Sequence, residues 1–380
     1  MKKSNLNKPI MMNQFTVLWA VIAIFFVFTA SCSKEDSENN PSDLPTSFRV
    51  DVPSSISQNA TKKDALSGEL SGGEIYQHLN NFIYLGDASA ELIEDIIVGI
   101  RIYGLSQPMT FTYVSEEDGR TKNVVVIDNA TFEGTIWEHQ LSITDAESEG
   151  NEDKGYAIQV FWNVSPIEGI AVLKPFNWDR SGVTSSEKTI FRVEYSEKAD
   201  ANYEAHMVVT IYGWEETVSD RFHMDNLKMF VGKDGDRIDV YGNSNHPDAW
   251  LFLQEPVGFN WAFVASGSET KNIGVAEVGL PPSSLDETSR EVILETYSIK
   301  NVFTSQIREY IYQIYGVYPD QAGLDTLLQN TDAPGYFNSG GFVQGGTAPS
   351  GNYEELTTTI STMVPYNPYT ITNLSLSFKQ

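Results

Sequence analysis

Metal binding or catalysis in this chain would have to be carried out by five His, one Cys and 51 carboxylates. His78, His139, His206, His223 and His246 show no H-x-H or H-x-x-x-H spacing, so a His-based metal site would need the fold to assemble it. Asp234-Gly235-Asp236 supplies the first two ligands of a calcium loop. Ile238, Asp239 and Asn245 then stand where the fifth-position acid, the sixth-position Gly and the twelfth-position Glu belong. A hairpin turn explains that segment better, and no metal or cofactor is expected. One Cys forms neither an internal disulfide nor a thiolate zinc site. There is no G-x-S-x-G, P-loop, G-x-G-x-x-G or H-E-x-x-H. No catalytic residue is therefore assigned. Paired carboxylates for glycoside hydrolysis stay open, with Glu138 beside Trp137, Glu215 beside Trp214 and Asp179 beside Trp178 as the first to inspect.

Aromatic side chains give the stronger hint of ligand chemistry. Seven Trp, 18 Tyr and 20 Phe recur with Asn or Asp beside them, as in Phe176-Asn-Trp-Asp179, Gly258-Phe-Asn-Trp261, Gly335-Tyr-Phe-Asn338 and Tyr366-Asn-Pro-Tyr369. Ring faces stack on sugars while Asn and Asp take hydroxyls, so Trp178, Trp261, Tyr336 and Tyr366 are candidate ligand-binding residues. The competing reading is that aromatic-rich antiparallel sheets simply have aromatic cores. Tyr310, Tyr312, Tyr315 and Tyr318 fall on both sides of a helix, which leaves part of the cluster exposed as a contact face for a partner.

The elements that must position these residues are mainly strands. From Met109 to Val278 the pattern is antiparallel. Thr110–Val114 and Asn123–Ile127 flank a Gly-containing turn, and further strands are expected at 131–143, 155–164, 168–173, 188–196, 203–214, 222–231, 236–242, 249–253, 259–266 and 272–278. Phe191-Arg-Val-Glu-Tyr195 alternates, one face for the core and one for water. Before the strands, 74–85 and a second segment capped at Asp87 or Ser89 read as a helical hairpin at 74–100, with Gly86 as the stop. A strand starting near Ile96 competes with the second helix. After them come a helix opened by Ser284-Leu-Asp-Glu287, another over 301–315 stopped by Gly316, and one more turn at 325–329. Residues 333–353 read as an irregular loop, and 356–363 and 371–378 as closing strands. The expected fold is α+β and mainly β: an antiparallel sandwich or a curved half-barrel, with an N-terminal helical hairpin and a C-terminal helical segment.

The net charge of −26 argues against a nucleic-acid binder, since a polyanion is repelled. At the N-terminus, Lys2, Lys3 and Lys8 precede sixteen uncharged residues, Phe15 to Ala30, the pattern of a secretory signal. As a helix they would span about 24 Å, short of a ~30 Å hydrocarbon core. Thr29-Ala30-Ser31-Cys32 follows and resembles a lipobox, departing from it in having Thr29 where Leu is usual. The acidic run Lys34-Glu35-Asp36 after it resembles the export signal of Bacteroidota outer-membrane lipoproteins. The resemblance covers residues 1 to about 43. It implies cleavage before Cys32, acylation of that Cys, and a place at the outer membrane, more at the cell surface than facing the periplasm. A signal anchor and a cut that leaves Cys32 unmodified are the alternatives.

The expected organisation is thus a signal peptide (1–31), an acylated Cys with a disordered acidic tether (32–48), a β-rich domain (49–281) and a helical and loop segment packed on the same body (282–380). Removing 1–31 takes away three Lys and no acid, which moves the charge from −26 to −29. The functional expectation is a non-enzymatic envelope lipoprotein that binds a partner protein or a surface polymer. A carrier of a lipid or other apolar ligand in a half-barrel cavity, and a surface glycan-binding or glycan-hydrolysing protein, are the alternatives.

Overall fold

The computed structural model describes residues 48–57, 71–102, 108–181, 186–200, 202–215, 222–253, 255 and 257–379. The segment expected to be a signal peptide, Cys32 and residues 33–47 of the expected tether lie outside the described residues, while Phe48, expected to end that tether, is instead fully buried in the core.

One long helix and one sheet form the frame of the described residues. Helix α1 (Gly72–Ile102) runs without interruption through the position expected to break it. Ile75, Leu79, Phe82, Ile83, Ala90, Ile93 and Ile97 recur at helical spacing and are all buried in the main core. Gly86 is not a stop. It lets the helix approach the sheet so closely that a Cβ there would lie 2.5 Å from Met229 Cε. Ser89 does not cap a second helix either; its hydroxyl donates to the carbonyl of Leu85 one turn back, at 2.7 Å. The expected hairpin is a single helix because the apolar stripe keeps its phase across Gly86.

The strands are β1 (Met109–Val114), β2 (Thr121–Phe132), β3 (Thr135–Asp145), β4 (Tyr156–Val164), β5 (Ile167–Leu173), β6 (Ile190–Ser196) and β7 (Ala205–Tyr212). They continue as β8 (Asn226–Asp234), β9 (Arg237–His246), β10 (Phe259–Ser268), β11 (Ile273–Gly279), β12 (Gly335–Asn338) and β13 (Gly341–Gly345). All thirteen form one antiparallel sheet in sequence order that is not closed. The fold is α+β and mainly β, as expected, and takes the form of one meander rather than two stacked sheets.

Alternation along the strands assigns the two faces. Phe191, Val193 and Tyr195 of β6 point to the side that holds α1, together with Val160, Val209, Met229, Val240 and Phe263. Arg192 and Glu194 point to the other, outer side. Phe48 extends this inner core by lying over Gly169 of β5, where a Cβ would be 2.6 Å from the ring.

Parts of the C-terminal third cover the outer side. A single π-type turn at Glu291–Thr296 stands where a longer capped helix was expected, and places Ile293 and Leu294 on β10 and β11. Helix α3 (Ile299–Tyr315) follows, ended as expected by Gly316 in the left-handed region, then α4 (Gln321–Leu327); Ile299, Phe303, Ile307 and Leu324 of these helices join the inner core with α1 instead of the outer cover. The one helical turn between β5 and β6 is α2 (Pro175–Trp178). The expected loop 333–353 contains the β12–β13 hairpin, and residues 249–253 are irregular rather than a strand.

The expected strand 356–363 is instead helix α5 (Glu354–Ile360). Leu356, Ile360 and Met363 are buried at helical spacing, and the hydroxyls of Thr357, Thr358 and Thr359 donate to the carbonyls four residues back. That bonding lets a β-branched run stay helical. The expected strand 371–378 is helix α6 (Pro368–Thr372) followed by an irregular strap. Strands β4 and β5 beneath the strap are already paired on both edges, so it lies on side chains. Gln159 clasps it by accepting from the Lys379 N–H at 2.8 Å and donating to the Lys379 carbonyl at 3.3 Å.

Candidate functional site

The described pocket richest in ligand-type groups lies where the β2–β3 hairpin meets β5, β6 and β7. The hairpin turns at Glu133 and Gly134, both at positive φ (49° and 81°), the type I′ geometry of a two-residue connection. The expected single strand over 131–143 is broken by this turn. Its sequence, Phe132-Glu133-Gly134-Thr135, has the Gly that the turn needs but not the Asn or Asp that usually precedes it. Arg192, outward on β6, holds the turn by donating to both oxygens of Glu133 at 2.6 and 2.7 Å.

The pocket has a volume of about 540 Å³, within the range of small-molecule sites. One wall is aromatic. Phe132 stacks on Phe161 at 4.3 Å with the planes 7° apart, and Trp137 is only 7% exposed. The other wall is polar: Glu168, Glu194, Ser196, Lys198, Asp200 and His206. The bond from Arg192 keeps the Glu133 carboxyl below its usual pKa. Asp200 is held low by the backbone N–H groups of Asn202 and Tyr203, at 2.6 and 2.8 Å. Glu168 is held loosely, by Ser196 Oγ at 3.4 Å and Lys198 Nζ at 3.9 Å. Two of the residues that line the pocket, Trp137 and His206, each carry a buried ring nitrogen with no hydrogen-bond partner, Nε1 and Nδ1 respectively.

The four aromatic residues singled out from sequence do not converge. Trp261 is fully buried beneath α1, in a ring cluster with Phe82 (5.3 Å), His246 (5.4 Å) and His78 (5.8 Å). Tyr336 is buried on the outer side, edge-on to Tyr353. Tyr366 lies 5.3 Å from Tyr241 with Lys228 Nζ 4.8 Å from its ring, and Trp178 is half-buried in α2. Their neighbouring Asn side chains serve structure. Asn177 donates to Asp153 and Tyr156, while Asn260 joins Asn243, Asn245, Thr372 and Pro368 under α6. The aromatic-core reading therefore accounts for these residues.

The carboxylates beside Trp are likewise engaged. Glu138 accepts from the Val164 N–H, Glu215 pairs with Lys188, and Asp179 accepts from Ser181. Asp234-Gly235-Asp236 is the β8–β9 turn, with Asp236 holding the neighbouring β10–β11 turn through Ser268 and Thr270. Among the described residues no group of three or more His, Cys, Asp or Glu is placed to hold a metal ion. His246 is buried and neutral. Desolvation pushes its pKa down to about 3, with Nδ1–H donating to the Phe222 carbonyl and Nε2 accepting from Ser244.

Reading the sequence drew attention to Trp137 for its neighbour Glu138, but not for the pocket it lines. The signals that mark the site are Gly134 and outward Arg192 and Glu194 on β6; Glu168, Ser196 and His206 come together only through pairing of β5, β6 and β7. A second exposed feature is the end of α3, where Tyr312 stacks on Tyr318 at 4.7 Å and Tyr315 is 71% exposed. No described helix is long and apolar enough to cross a membrane. No family model, curated protein or solved structure matches the chain.

Proposed function

We propose that this chain is a non-enzymatic lipoprotein of the outer membrane, anchored through Cys32 and facing the cell surface, that binds a surface polymer in the pocket between the β2–β3 hairpin and β5–β7. The observation that carries the reading is the buried, unpartnered indole N–H of Trp137, a residue lining a pocket that joins an aromatic wall to carboxylates, a hydroxyl and an imidazole. A buried donor without a partner is costly, and a ligand oxygen would relieve that cost. Aromatic faces with hydrogen-bonding rims suit hydroxylated rings. The carrier alternative draws less support, because the side of the sheet where a cargo would sit is filled by the buried face of α1.

Docking of a partner protein is the second reading, favoured by the exposed tyrosines at the end of α3. Calorimetric titration of the full chain in detergent with soluble oligosaccharides tests the first. Saturable binding that is lost in Trp137→Ala supports it; binding untouched by that substitution moves the site elsewhere and refutes the assignment.

A further inference from the structure

The charges of the same pocket narrow the ligand class, an inference that rests on the polymer-binding reading. Four carboxylates line it, Glu133, Glu168, Glu194 and Asp200, and Lys198 is the lining cation. Arg192 adds a second positive charge but is shared, with two bonds to Glu133 and one to Glu194 at 3.0 Å. Two cations against four anions leave the pocket negative. Glu168 has the most spare accepting capacity, since a carboxylate offers about four lone-pair sites and its contacts here are one 3.4 Å hydrogen bond and one 3.9 Å ion pair.

A uronic acid or phosphosugar would meet this field unfavourably, and a neutral sugar would leave it unanswered. A lysine side chain or a quaternary ammonium would answer the charge, yet it brings no oxygen to accept from Trp137 Nε1. A ligand that satisfies both must carry a cation and ring hydroxyls together.

We propose that the pocket takes a protonated amino sugar, its ammonium among Glu133, Glu168 and Glu194 and its ring against Trp137.

The test is calorimetric titration of the full chain in detergent with four tetramers: β-1,4-linked glucosamine, its N-acetylated form, β-1,4-linked glucose, and lysine. The glucosamine tetramer is expected to bind about tenfold or more tighter than the other three, the scale of one charge-assisted hydrogen bond. Glu168→Gln is expected to reduce that margin to about threefold or less, and Trp137→Phe to weaken the three sugars alike. Circular dichroism confirms that both variants fold. Acetylated or glucose tetramer binding as tightly as the amine overturns the amino-sugar assignment and leaves the polymer reading standing. Tetralysine binding as tightly overturns the sugar part. No binding by any sugar overturns both, and a margin unmoved by Glu168→Gln overturns the placement of the ammonium.

Discussion

Replacing Lys122 by Met probes how the acidic loops at one end of the sheet are held. Lys122 on β2 is 2% exposed in its side chain, and its ammonium donates to Asp118 Oδ2 at 2.8 Å and to the Asn177 carbonyl at 3.0 Å. Asp118, 1% exposed in its side chain, also accepts from the backbone N–H groups of Arg120 and Arg180 at 3.0 and 3.1 Å. The pair thus ties the β1–β2 turn to α2. Removing one partner of a buried ion pair costs about 3–5 kcal/mol, because the other charge stays desolvated. The two backbone donors remaining on Asp118 place the expected loss near the lower end, about 3 kcal/mol. With an m-value of about 3 kcal/mol/M for a chain of this size, the urea midpoint should fall by about 1 M.

The same pair predicts a pH dependence. Burial alone would raise the Asp118 pKa, but the Lys122 bond and the two backbone N–H groups carry it below 3.8. A folded pKa below the unfolded one means the stabilisation is complete above the ordinary carboxylate value and is lost as pH falls through the folded one. The Lys122→Met deficit should therefore be full at pH 7 and shrink in strong acid. In a double-mutant cycle with Asp118→Asn, the two losses should fall short of additivity by about 1 kcal/mol or more. A Lys122→Met loss under about 1 kcal/mol at pH 7, or additive single losses, would refute the reasoning.

Three further outcomes are expected. Burial raises the Asp87 pKa to about 7 from 3.8, outweighing Arg49 at 3.9 Å. The folded value lies above the unfolded one, so this group's contribution falls as pH rises from about 4 to 7; thermal melts should show Asp87→Asn about 1–3 kcal/mol more stable than the parent at pH 8 and equal to it at pH 4. Asn260→Ala removes two donated and two accepted side-chain bonds under α6. It should cost about 2–4 kcal/mol, with limited proteolysis cutting first within residues 361–379. Finally, Cys32→Ser should abolish incorporation of labelled palmitate and shift the protein from the membrane to the soluble fraction; labelling that survives would remove the anchor from the proposal.

The alternation of Phe191-Arg-Val-Glu-Tyr195 told faces apart because one side of the sheet is buried and the other half-solvated, and most strand positions were readable in this way. The reading failed where two periods coexist. Gly86 looks like a stop, yet its small size serves contact with Met229. Thr357–Thr359 look like a strand, yet their hydroxyls bond within a helix. The pocket was invisible for another reason: Trp137, Glu168 and His206 are distant in sequence and meet only through strand register. Trp261 and Asn260 were conspicuous and proved to be core and scaffold, because burying large rings and amides requires partners as specific as those of a ligand site.

The meander has a consequence for how the chain acquires its structure. Every strand from β1 to β10 pairs with the next one synthesised, so loop closure is short at each step and this part of the sheet can grow hairpin by hairpin. The outer cover is the opposite case. Asn226 donates to the Ile371 carbonyl, Asn243 to that of Tyr366, and Gln159 reaches Lys379 across 220 positions. Those amides and the apolar patches around them stay uncovered until the last residues arrive. Completion of the C-terminus is thus the commitment step: a chain stalled or clipped before residue 366 would present a finished sheet with an adhesive, unsatisfied back, the species most exposed to aggregation or proteolysis.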